Sequence, residues 1–72
     1  MDRNEIINNL SNQLDQYEAE RESCLKKLRN YIYEYQENEV NCLNDINDII
    51  SKLNTLNSKI EFLLNRLHQL HY

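Results

Sequence analysis

From Cys42 to His71 the apolar residues fall into rows spaced by seven. Leu43, Ile50, Asn57, Leu64 and His71 form row a; Ile46, Leu53, Ile60 and Leu67 form row d; Cys42, Ile49, Leu56, Leu63 and Leu70 form row g. Three rows at this spacing describe a helix with a wide apolar face. A two-stranded seam needs only a and d. Row g is then surplus, and an apolar row left over after a seam is filled points to a binding role.

The first half of the chain repeats the pattern more weakly. Asp2 and Glu5 suit the positive end of a helix dipole, and Asn4 is placed to cap a helix before Ile6 and Ile7. Row d holds Ile7, Leu14, Arg21, Leu28 and Tyr35; row a holds Ser11, Glu18, Leu25 and Ile32; row g holds Leu10, Tyr17, Cys24 and Tyr31. Between the halves, Gln36-Glu37-Asn38-Glu39-Val40-Asn41 interrupts the apolar rows. Asn38 and Asn41 suit a reversal in a chain without glycine. The pattern predicts an all-α antiparallel two-helix hairpin, coiled-coil-like, as one domain: helix 4–36, turn 37–41, helix 42–71.

The rival is one continuous helix forming a parallel rod. Pairing favours the hairpin. When paired residue numbers sum to 78, Tyr35 meets Leu43, Ile32 meets Ile46, Leu28 meets Ile50, Leu25 meets Leu53 and Leu14 meets Leu64. The two polar residues Arg21 and Asn57 also meet. In a parallel rod Arg21 would face its own copy, a costly like-charge contact.

In an antiparallel pair the two g rows share one flank and the two e rows the other. The e flank is polar: Asn8, Asp15, Glu22, Arg29, Asn47, Asn54, Glu61 and His68. The g flank is apolar or amphipathic: Leu10, Tyr17, Cys24, Tyr31, Cys42, Ile49, Leu56, Leu63 and Leu70. These nine residues are expected to form an open groove for a partner, with Tyr17 and Tyr31 as anchors carrying a polar tip. A hairpin of this size has a marginal core, and a covered groove would stabilise it.

Composition agrees. The chain has 72 residues, no Gly and no Pro, 40% hydrophobic and 28% charged residues, which favours long helices over a turn-rich or disordered chain. The net charge of -4 argues against nucleic acid, and Arg21, Lys26, Lys27 and Arg29 are interleaved with Glu18, Glu20 and Glu22 as on a solvated helix face. No run approaches the ~20 apolar residues of a membrane span, and no export signal opens the chain, so a cytoplasmic site is expected.

Candidate chemistry is sparse. Cys24 and Cys42 would lie on the order of 15–20 Å apart along the hairpin, beyond the ~7 Å a disulfide tolerates, so two reduced thiols are expected. His68 and His71 are spaced for a metal but lack further ligands, and helix C-terminal placement explains them as well. Tyr31, Tyr33 and Tyr35 alternate as in a strand, yet on a helix they point three ways. Glu34, Glu37, Glu39, Asp45 and Asp48 surround the turn without calcium-loop spacing and read as a solvated acidic tip. No nucleophile–base pair or phosphate loop is present. No catalysis, cofactor or metal is expected.

The rows Leu10, Tyr17, Leu25, Leu28, Ile32 and Ile46, Ile49, Leu53, Leu56, Ile60, Leu63 give a chain that resembles the small helical-hairpin co-chaperones of type III secretion needle subunits (the YscE/EscE type). The resemblance is one of architecture over the whole chain. It implies a cytoplasmic protein paired with a tetratricopeptide-like chaperone, together holding the needle subunit unpolymerised. Twelve Asn, seven Ile and a single Ala suggest an AT-rich gene, which suits a virulence island. The small hairpins of ESX-type secretion fit less well, since their turn carries Trp-x-Gly and this chain has neither residue. The alternative is self-association, as a four-helix dimer or a parallel rod.

Overall fold

The computed structural model describes residues 2–37 and 43–71, with the side chains of residues 2–33 and 43–70. It has two helices, α1 (Arg3–Glu37) and α2 (Leu43–His71), packed along their length. The molecule is long and narrow, 53 × 16 × 14 Å. Of the expected turn 37–41, Glu37 instead closes α1, and residues 38–41 lie outside the described residues, as does Cys42.

The helices are antiparallel. The Arg3 guanidinium donates to the Leu70 carbonyl at one end. Lys59 Nζ sits 5.3 Å from the centre of the Tyr17 ring. Arg21 Nη1 donates to Asn57 Oδ1 at 3.3 Å near mid-length. In each contact the two residue numbers add to nearly the same value, as antiparallel helices require. The chain is therefore a hairpin and not a continuous rod, and Arg21 meets Asn57 as the pairing predicts.

The start of α1 differs from expectation in one detail. Asp2, not Asn4, is the cap. The Asp2 carbonyl accepts from the Ile6 amide at 3.1 Å and its carboxylate Oδ1 accepts from the Asn4 amide at 3.1 Å. A carboxylate outranks an amide here because it adds charge at the positive end of the helix dipole.

The seam also differs. Cys24, Ile49, Leu56 and Leu63 of row g are buried, between 4 and 8% exposed, together with Ile60 of row d. Cys24, Ile49 and Leu56 form a cluster against which Tyr17, Leu28, Tyr31 and Leu53 pack. Row a lies at the edge or outside: Ser11 and Leu25 are half-buried, and Ile32, Leu43, Ile50 and Leu64 are 43 to 50% exposed. The seam is built from rows d and g rather than a and d. At 100° per residue the two choices differ by a rotation of roughly 60° about each helix axis.

Polarity decides between them. Row a contains Ser11, Glu18 and Asn57, whereas row g is free of strongly polar residues from Leu10 to Tyr31 and from Ile49 to Leu70. An a/d seam would take a carboxylate, a hydroxyl and an amide out of water, each at a cost unless paired. The d/g seam half-buries Arg21, whose guanidinium reaches Asn57 at the edge, and leaves Glu18 and Asn57 exposed with Ser11 half-buried. Two back-bonded hydroxyls, Thr55 to the Ser51 carbonyl and Ser58 to the Asn54 carbonyl, both at 3.1 Å, keep polar groups satisfied within α2.

Three stability measurements follow from this seam. Leu56→Ala is expected to cost about 2–5 kcal/mol, as for a buried leucine, while Leu64→Ala costs under about 1 kcal/mol as a surface change. Urea unfolding followed by circular dichroism checks the contrast, and the reverse order would restore the a/d seam. Arg21→Leu, which extends the apolar seam, is expected to stabilise by about 1–2 kcal/mol, read the same way, because the half-buried charge no longer needs solvation. Asp2→Ala is expected to lower stability by about 1 kcal/mol through loss of the cap.

Candidate protein-contact surface

The eight described residues of the nine expected to line an open groove do not form one. Cys24, Ile49, Leu56 and Leu63 are buried between the two helices, and Leu10, Tyr17, Tyr31 and Leu70 are half-buried along the same seam. Cys42 lies outside the described residues. The expectation fails because it assigned row a to the seam. The hairpin uses row g for its own core.

A surplus apolar row remains, and it is row a. With d and g in the seam, the a rows of both helices fall on one flank, bordered by the e rows. Register places Leu25, Ile32, Leu43 and Ile50 together in the half of this flank nearer the chain reversal. Leu25 is half-buried and the other three are exposed. The adjoining α2 residues Asn44, Asn47, Ser51 and Asn54 are exposed and uncharged. The other half of the flank is polar, with Asp15, Glu18, Glu22, Asn57 and Glu61, and Leu64 stands there without an apolar row neighbour.

The opposite flank carries the c rows and, among the described side chains, is basic in balance: Lys27, Lys52, Lys59 and Arg66 against Glu20 and Asp45. A shallow cleft of about 360 Å3 opens here, lined by Gln13, Tyr17, Ser58, Lys59, Phe62 and Leu63. Phe62 is 66% exposed at its rim. The Lys59 ammonium over the Tyr17 ring is a cation–π contact that covers part of the half-buried seam tyrosine. A second cleft, lined by Glu20, Ser23, Cys24, Lys27, Lys52 and Leu56, is more polar.

The remaining candidates stand as follows. Cys24 is a free, buried thiol. No group of three or more His, Cys, Asp or Glu positioned for a metal occurs among the described residues. His68 is exposed, and the side chain of His71 lies outside the described residues. Residues 31–35 are helical, with Tyr31 half-buried and Tyr33 exposed. Asp45 and Asp48 are exposed, while the side chains of Glu34, Glu37 and Glu39 lie outside the described residues. Among the described residues no helix is long and apolar enough to cross a membrane.

The exposed a row was hidden in plain view. Both halves of the chain show it, but sequence reasoning counted it as seam. The signal that separates it was the trio Ser11, Glu18 and Asn57 within the row. No family model, curated protein or solved structure matches the chain.

Proposed function

We propose that the hairpin is a non-catalytic protein-binding module whose contact face is the apolar half of the row-a flank. The observation that supports this reading is the exposure of Ile32, Leu43 and Ile50, 43 to 50% each, beside uncharged α2 residues. Apolar side chains at helical spacing, bordered by groups that are cheap to desolvate, form the pattern on which an amphipathic helix docks. On the α1 side of the same border Lys26 and Arg29 are exposed and charged, so the uncharged approach runs along α2.

The specific form of this reading is a small cytoplasmic co-chaperone or adaptor of a bacterial type III secretion system. Its partner would be a tetratricopeptide-like chaperone, with the needle subunit held between them. Size and hairpin architecture support that form. The face that meets the partner is then row a, not the row-g groove.

Titration calorimetry of the purified hairpin against the tetratricopeptide-like needle chaperone from the same genome tests both levels. The expected outcome is a dissociation constant at or below about 1 μM, weakened at least ~30-fold by Ile50→Lys, a loss of about 2 kcal/mol typical of an anchor residue. Phe62→Lys, on the opposite flank, leaves it unchanged. Absence of binding removes the secretion role. Binding that ignores Ile50→Lys removes the row-a face.

A further inference from the structure

We infer that the cleft flank, opposite row a, docks an amphipathic helix of another protein that carries acidic residues seven positions apart. This surface goes beyond the row-a face and stands independently of it. Charge is sorted across the half of the hairpin nearer the chain termini. Asp15, Glu18, Glu22 and Glu61 lie on the row-a side. On the cleft side, rows c and f follow row g around each helix. These three rows hold no carboxylate from residue 9 to 17 in α1 or from 55 to 70 in α2, and Lys59 and Arg66 are exposed there. Lys52 continues the cationic row toward mid-length, where it lines the second cleft with Glu20 and Lys27. A chain of net charge -4 thus presents one locally positive strip.

Apolar surface is set into this strip. The cleft of about 360 Å3 is lined by half-buried Tyr17 and buried Leu63, and Phe62 stands at its rim, 66% exposed. An exposed aromatic beside a recess that is already formed is the arrangement of a binding anchor. The Lys59 ammonium, 5.3 Å from the centre of the Tyr17 ring, makes the edge of the same cleft positive. A leucine or phenylalanine of a partner fits the recess against the Tyr17 and Phe62 rings, and a carboxylate beside it meets Lys59.

Spacing selects a helix over a small anion. Lys52, Lys59 and Arg66 follow one another at seven-residue steps along α2, about 10.5 Å apart at 1.5 Å per residue. No single carboxylate or phosphate spans that gap. Acidic side chains seven apart on a second helix repeat at the same interval and meet the cations in step, as the charged flanking rows of coiled coils do. The apolar residues between them then lie over the junction of α1 and α2, and the hairpin becomes a three-helix bundle. An extended polyanion is disfavoured, because the net charge of -4 repels it beyond the strip. Charge complementarity of this kind fixes the register of the partner and weakens with salt.

Fluorescence anisotropy of a labelled helical peptide of about 21 residues, three heptads, titrated with the full chain tests this. The peptide carries leucine and phenylalanine on one face and glutamate at three bordering positions seven apart. A control peptide carries lysine at those positions. The glutamate peptide is expected to bind with a dissociation constant of about 10 to 100 μM, weakened at least ~5-fold between about 50 and 300 mM salt. Lys59→Glu weakens it at least tenfold and improves binding of the lysine peptide. Phe62→Ala weakens it at least fivefold, with helix content unchanged by circular dichroism in both variants, and Ile50→Lys leaves it as it was. No binding at about 1 mM, equal affinity for the two peptides, or indifference to Lys59→Glu and Phe62→Ala overturns the inference. Tighter binding of a single-stranded DNA of about 20 nucleotides through Lys59 also overturns it, in favour of phosphate recognition. The row-a face is read separately through Ile50→Lys and does not fall with any of these outcomes.

Discussion

The cost of burying Glu18, Ser11 and Asn57 governs this structure. Three apolar rows compete for a seam that holds two, and these residues all lie in row a. Turning each helix by roughly 60° leaves Glu18 and Asn57 in water, Ser11 half-buried, and brings row g inside. The result is a continuous aliphatic core along α2, from Ile49 through Leu56 and Ile60 to Leu63. Arg21 is the exception within the seam. Its position beside the edge lets the guanidinium reach Asn57, an exposed residue of the excluded row. The polar pair thus ties the seam to the flank that the rotation exposes.

Much of this was legible in the residues. The absence of Gly and Pro, the two patterned halves and the break between them predict two antiparallel helices. The register is legible as well, because Arg21, the polar residue of row d in α1, pairs by number with Asn57, and the two meet in the structure. The choice of seam was not read correctly. Rows a and g lie symmetrically on either side of row d, so the spacing of α2 alone gives them equal claims. The answer lay in the weaker helix, where row a has Ser11 and Glu18 and row g has Tyr17 and Cys24. Counting polar residues over both helices together separates the two rows. Asp2 and Asn4 are both capping residue types two positions apart, so the sequence does not separate them; the bond from the Asn4 amide to the Asp2 carboxylate does.

The candidate surface follows from the same count. A helix with a three-row apolar face is wider than one neighbour can cover, and a lone hairpin gives each helix only one neighbour. One row must stay out, whichever pair forms the seam. Which row stays out determines the chemistry of the surface. Row g outside would have offered tyrosines and a thiol from α1 along the whole length of the molecule. Row a outside offers a short aliphatic patch, Leu25, Ile32, Leu43 and Ile50, confined to one half by the acidic residues of the other. The surplus was visible in the sequence, but its extent and its location were not.

The confinement has a further consequence for specificity. An aliphatic stripe running the full length of both helices would accept an apolar helix in many registers, because each seven-residue step would present the same contacts. Here the stripe ends where Glu18 and Asn57 begin. A docking helix that slides one step toward the acidic half loses apolar contact and approaches the carboxylates of Glu18, Asp15 and Glu22. The polar residues that force the rotation of the seam therefore also bound the contact face, and one set of side chains both selects the core and fixes where a partner can sit.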